Sequence, residues 1–150
     1  MTQNEKGLLL KDLCARLPYG VKIVIQDTFK YSIVSREYHV LDVSNFSDIF
    51  CFNYKKFDKR MKKAMREHPN DIVIKPYLFP MSSMTDEDYA IYSKIWEDAG
   101  KTAYLEGCHH LISAIKAYKA ANDYLLSKHY DINGLIPKGL ANDATGLNIY

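Results

Sequence analysis

Glycine, tryptophan, paired cysteines and long apolar runs are all scarce in this chain of 150 residues, and each scarcity removes a class of function. Its seven glycines never fall at the spacing of a phosphate-cradling loop, whose turns need residues that adopt positive φ and let the backbone approach phosphate. The three cysteines, Cys14, Cys51 and Cys108, are odd in number and far apart. They form no CxxC pair and lack the short Cys-to-His spacing of a zinc site, so reduced, buried thiols are expected. No 18-residue apolar stretch occurs, and Met1 to Lys6 followed by three leucines is no signal-peptide core. The expected location is therefore the cytoplasm, with no membrane partner. Net charge is only +2, so any attraction for nucleic acid or anionic surfaces has to come from local clustering.

What is present is an ordinary folding composition, 47% hydrophobic and 25% charged, at a length that suits one domain spanning residues 1–150. The oddity is aromatic: 12 Tyr and 6 Phe against one Trp. Tyrosine joins an apolar ring to a polar tip, which suits half-buried sheet faces, interfaces and base-stacking surfaces alike.

Leu8, Leu9, Leu10, Leu13, Cys14 and Leu17 recur at helical spacing and predict a first helix over about residues 5–17, closed by Pro18-Tyr19-Gly20. Val21 to Ile25, Tyr31 to Val34 and Tyr38 to Val43 read as strands of an antiparallel meander, broken at Asp27-Thr28 and Arg36-Glu37. Ile49 to Phe52 and Ile72 to Ile74 are further strand candidates. Between them Tyr54 to His68 reads as a basic amphipathic helix with Phe57, Met61, Ala64, Met65 and His68 as its apolar stripe. Lys75 to Pro80 carries two prolines and reads as an extended connector. Thr85 is placed to cap a helix, with Asp88 completing a capping box and Met84 stapling against Tyr89. Tyr89, Tyr92, Ile95, Trp96 and Ala99 mark one face of that helix, and Gly100 its end. A last helix over about Leu111 to Lys128 is expected to bury Leu111, Ile115, Tyr118 and Leu125, before a turn at Asp131 to Gly134 and a short helix over Leu135 to Ala141. The order of elements fits α+β: an N-terminal helix, a small antiparallel sheet that is open or barrel-like, a basic helix, and a C-terminal helical pair packed on the sheet.

The sharpest local feature is the run Lys55, Lys56, Lys59, Arg60, Lys62, Lys63 and Arg66, diluted only by Asp58. Seven cations over about three turns form a surface able to hold phosphate, with Tyr54 or Tyr77 as a ring on which a base could stack. A solvated outer face whose lysine stems cover the core edge is the alternative. Cys108-His109-His110 is a poor metal site, since adjacent histidines on a helix point about 100° apart. Asp131 to Gly134 lacks the remaining ligands of a calcium loop. No catalytic residue, metal or cofactor is assigned from the sequence.

Three stretches carry a resemblance: Leu8 to Val21, Lys75 to Thr85, and Tyr130 to Ala141 with Thr145 to Tyr150. Together they resemble a family of small uncharacterised proteins of phages and prophages of gut Bacteroides-like bacteria. The resemblance covers about a third of the chain and implies a setting rather than a chemistry: an accessory phage product acting inside a bacterium.

Four readings stay open. The leading one is a non-enzymatic binding protein that engages a host protein or sequesters a nucleotide-type signal, with antagonism of host defence as one form of it. The others are a nucleic-acid-binding regulator using residues 55–66, a small nuclease or phosphodiesterase with a dispersed site, and a structural or virion-associated protein. Association of the chain with itself through its aromatic surface is compatible with these.

Overall fold

The computed structural model describes residues 1–27, 36–39, 43–46, 49–52, 72–105 and 110–150, with side chains described over 1–24, 73–101 and 111–150. The first helix, α1 (Gln3–Arg16), starts earlier than the leucine pattern predicts because Thr2 caps it. The Glu5 amide donates to Thr2 Oγ1 at 3.3 Å and the Thr2 amide donates to Glu5 Oε2 at 2.6 Å, a reciprocal pair that satisfies two orphan donors. Leu9 and Leu13, one turn apart, are completely buried. A 3-10 turn over Leu17–Tyr19 then leads to Gly20 at φ 69°, and this left-handed residue turns the chain into the sheet.

Strand β1 (Lys22–Asp27) pairs antiparallel with β2 (Arg36–His39) on one side and with β5 (Ile72–Leu78) on the other. Strands β3 (Val43–Phe46) and β4 (Ile49–Phe52) form a separate antiparallel ladder, and β6 (Asn142–Asp143) runs parallel to β5 at Tyr77 and Leu78. The order β2-β1-β5-β6 is not the expected meander. Setting β5 beside β1 brings Ile23, Val21, Ile74 and Leu78 into one core, which a sequential order would separate. The break expected at Arg36-Glu37 lies inside β2, which is the end strand of the described sheet, where charged residues are tolerated along an edge. The expected strand Tyr31 to Val34 lies outside the described residues. β5 also absorbs most of the expected connector, taking Pro76 into the ladder opposite Ile23.

The helical pair consists of α2 (Asp86–Leu105) and α3 (His110–Ser127). Thr85 caps α2, its Oγ1 accepting from the Asp88 amide at 3.1 Å. Gly100 does not end this helix, which runs on to Leu105. A glycine weakens a helix without breaking it, so the local signal yields to pairing with α3. The pair is antiparallel, since Asp88 near the start of α2 meets Tyr124 near the end of α3. It is rooted at the sheet's end, where Leu125 and Leu126 are buried and the Phe79 amide donates to the His129 carbonyl at 2.9 Å.

Residues 135–141 form turns rather than a helix. The Asp131 carboxylate accepts the Leu135 and Ile136 amides, both at 2.8 Å, and Gly134 and Gly139 take left-handed φ values of 64° and 70°. Those turns aim Leu135, Leu140 and Ala141 at the core formed by α1, β1 and β5. The architecture is α+β, and the described sheet is open rather than closed into a barrel.

Candidate functional site

The expected anion site, Lys55, Lys56, Lys59, Arg60, Lys62, Lys63 and Arg66 with Tyr54, lies outside the described residues, as do Cys108 and His109. Tyr77 is half-buried in β5, and its carbonyl accepts the Tyr150 hydroxyl at 2.8 Å. Cys14 is exposed rather than buried. It lies about 100° round the helix from Leu13, on the side of α1 turned away from the core.

Two groups of polar side chains come together that spacing along the chain does not foretell. In the first, Asp12 and Arg16 are both 0% exposed. Arg16 Nε donates to Asp12 Oδ2 at 2.7 Å and Nη2 to Asp12 Oδ1 at 3.1 Å. Nη2 also donates to the Tyr130 carbonyl at 2.7 Å, and Asn133 Nδ2 donates to Asp12 Oδ1 at 2.8 Å. An i,i+4 acid-base pair is ordinarily a surface feature worth a few tenths of a kcal/mol. Here it fastens the C-terminal tail to α1.

His129 belongs to the same region. The Tyr130 amide donates to the Leu125 carbonyl at 3.0 Å and the His129 amide to the Leu126 carbonyl at 3.1 Å, a Schellman closure of α3. That closure puts His129 at φ 60°, where glycine is normal. Its ring stacks on Tyr150 at 3.7 Å and 13°, a contact glycine could not make. Burial, then the positive charges of Arg16 and Lys22, lowers the His129 pKa to about 4. Burial pushes Tyr150 up to about 12.

In the second group, the Asp88 carboxylate accepts the Tyr124 hydroxyl at 2.6 Å and the Tyr130 hydroxyl at 2.7 Å, with Lys128 Nζ at 3.1 Å. Asp88 was expected to close the capping box, but the two hydroxyls reach it from α3 and the tail. Tyr124 first, then Tyr130 and Lys128, hold its carboxyl at about 2 against the opposing effect of burial. Asp88 is therefore a fixed anion at neutral pH, already saturated by donors. Asp12 and Asp131 are likewise engaged as structural acceptors, and among the described residues no group of His, Cys, Asp and Glu could hold a metal ion.

The hairpin of α2 and α3 presents a different surface. Leu125 is buried as expected, but Leu111 is 74%, Ile115 59% and Tyr118 61% exposed. The residues of α3 that face α2 are instead Ser113, Ala117 and Ala121, which are buried, together with Tyr124. Small side chains let the axes approach closely, and this close packing turns the larger row outward. On α2, Asp88, Tyr92, Ile95 and Ala99 are half-buried, while Tyr89 and Trp96 are exposed.

Helical geometry places these exposed groups together. At 100° per residue, Tyr89 and Trp96 sit about 80° round α2 from its buried seam, and Leu111, Ile115 and Tyr118 about 130° round α3 from its own. The two helices run in opposite directions, so both offsets open toward the same side of the pair. That side joins an aromatic strip to an aliphatic row, and the row runs down α3 into the buried Leu125 and Leu126. Among the described residues no helix is long and apolar enough to cross a membrane.

Comparison with protein-family models, with curated proteins and with solved structures finds no match to this chain.

Proposed function

We propose that this is an accessory protein of phage origin that works without catalysis, by binding another protein through the bare side of the α2–α3 hairpin. The observation that carries the reading is the exposure of Leu111, Ile115 and Tyr118 in one row on a helix whose inward residues are small. Leaving three such side chains in water forgoes burial worth about 1.5–3 kcal/mol each, a cost that binding would recover. The carboxylates of Asp12, Asp88 and Asp131 support the same reading, since each accepts hydrogen bonds that hold the fold. Acting inside the bacterial cytoplasm on a host protein, as an antagonist of defence, is the setting that fits the phage resemblance.

The test is photo-crosslinking in the producing bacterium from position 118, with position 94 on the far side of α2 as control. The reading expects adducts of defined mass from 118, their loss in Ile115→Glu, and none from 94. Equal labelling from both positions, or none from 118, rejects it.

A further inference from the structure

At the base, the pairing of β1 with β5 sets Ile23 opposite Pro76, so the next step of the same register sets Lys22 opposite Tyr77. A side chain enters the ladder at that step. The Tyr150 hydroxyl accepts the Lys22 amide at 3.1 Å and donates to the Tyr77 carbonyl at 2.8 Å. A hydroxyl suits this position because it accepts and donates at once. Burial, which raises Tyr150 to about 12, keeps it a donor at neutral pH.

The ring behind the hydroxyl lies in a slot. His129 stacks on it at 3.7 Å and 13°, Phe79 meets it at 5.9 Å and 54°, and Lys22 Nζ stands 5.7 Å from its centroid. Stacked and tilted rings and a nearby cation each favour an aromatic occupant. The walls are placed by groups other than Tyr150. The Schellman closure of α3 fixes the His129 backbone, the Phe79 amide donates to His129 and its carbonyl accepts from Asp131, and Lys22 pairs with His39 in β2. A slot with walls already in place loses little freedom on binding.

The occupant is held by less. Residues 145–148 are all exposed and Tyr150 is 41% exposed, while the anchor beside it is Ile149, buried, with its carbonyl accepting from Lys22 Nζ. A segment with so few buried contacts opens at small cost, which makes the slot reachable.

We propose that this slot is a binding site for a para-hydroxyphenyl group, filled by the chain's own Tyr150 until a small phenol or another molecule's tyrosine side chain competes for it. The chemistry selects that ligand. A ring without a hydroxyl leaves the Lys22 amide and the Tyr77 carbonyl unbridged, an ammonium cannot accept and a carboxylate cannot donate. Tethering gives Tyr150 a high effective concentration, so a free ligand shows its full affinity only when the tethered ring is gone. The slot lies apart from the hairpin and is independent of the binding reading above.

Titration of the full chain carrying Tyr150→Gly with p-cresol, followed at the Lys22 amide by NMR, tests this. Saturable binding is expected, on the order of tenfold tighter than to the wild-type chain, with a thermal midpoint that rises with ligand concentration. The methyl ether of p-cresol keeps the ring but cannot donate to Tyr77, and is expected to bind about fivefold more weakly. A peptide of residues 145–150 separates the two sources: binding tighter than p-cresol assigns the slot to a tyrosine of a polypeptide, and binding no tighter assigns it to a small phenol. Tyr150→Phe keeps the stacked ring and serves if Tyr150→Gly fails to fold, since p-cresol is expected to displace its ring several-fold more readily than that of the wild type. No saturable binding to either variant overturns the proposal. So does equal affinity for the methyl ether, or binding to Tyr150→Gly no tighter than to the wild type.

Discussion

At the base of the molecule α1 buries Leu9, Leu13, Asp12 and Arg16 completely, whereas α2, six residues longer, has no buried side chain over its described length. The base closes its core from three separated parts of the chain and fixes their register with charge-assisted hydrogen bonds. The hairpin is joined by contacts local in sequence and keeps its largest apolar row in water. One region has a closed core, and the other keeps large apolar side chains exposed. The difference separates what fixes the fold, at the base, from the surface that the proposed binding reading would use, on the hairpin.

The sharpest way to break that contrast is to attack the base. Asp12→Ala leaves the Arg16 guanidinium fully buried without its counter-ion, and Asn133 loses its acceptor. Removing one member of a buried pair costs about 3–5 kcal/mol, so urea denaturation is expected to show a large drop in midpoint. The double variant Asp12→Leu with Arg16→Met removes both charges together and is expected to recover most of that loss. A single-variant loss under about 1 kcal/mol would mean that the pair is solvated and does not anchor the tail.

A smaller effect comes from pH. With a pKa near 4 in the fold and 6.5 as the ordinary value, His129 is a base whose folded form resists protonation. Between those values the unfolded chain binds more protons, so stability is complete above about pH 6.5 and is lost as pH falls toward 4. The ring stacks on the Tyr150 phenol and faces Arg16 from α1 and Lys22 from β1, and neither cation welcomes a further positive charge beside it. The full shift corresponds to roughly 3 kcal/mol at 1.36 kcal/mol per pH unit, and about 2 kcal/mol remains once solvent screening is allowed for. Asp88 adds its own loss only below pH 3.8, so the two are separable. His129→Asn tolerates the left-handed backbone and is expected to flatten the wild-type slope between pH 6.5 and 4 in parallel denaturation series. An unchanged slope would place the acid sensitivity elsewhere.

Features that depend on neighbours in sequence were legible before the fold was known. Thr85 as a cap, Pro18-Tyr19-Gly20 as a helix stop and Leu9 with Leu13 as a buried face all follow from local chemistry. What was not legible depends on which of two plausible faces wins. Leu111, Ile115, Tyr118 and Leu125 form a correct helical stripe, but periodicity cannot tell a stripe that meets its own fold from one that meets another molecule. The seam chosen instead, Ser113-Ala117-Ala121, carries too little hydrophobicity to register. Asp12 and Arg16 have the spacing of a solvent-exposed pair, and nothing local announces that Tyr130 and Asn133 will close over them. The stretches on which the expected phage resemblance rests lie, by contrast, in and around α1, β5 and the tail, so they concern how the base is packed rather than the exposed side of the hairpin.

The smallest expected effect lies on the hairpin and has the opposite sign. Gly100 sits inside α2, where an added Cβ would meet nothing within 4 Å, and it has no positive φ to relieve. Gly100→Ala is therefore expected to stabilise the chain by about 0.5–1 kcal/mol, by reducing the freedom of the unfolded state and raising helix propensity. At the base the same logic reverses: Gly134→Ala would force a left-handed alanine and set its Cβ 3.1 Å from Lys138 Nζ, so it is expected to destabilise. Measured together by thermal unfolding, the pair asks whether the hairpin melts with the base. If Gly100→Ala raises helical content at moderate temperature while the main transition stays fixed, the hairpin unfolds as its own unit and its stability is free to be set by whatever covers it. If the single transition moves upward, the rooted end at Leu125 and Leu126 couples the two regions tightly enough that occupation of the bare side would be felt at Asp12 and Arg16.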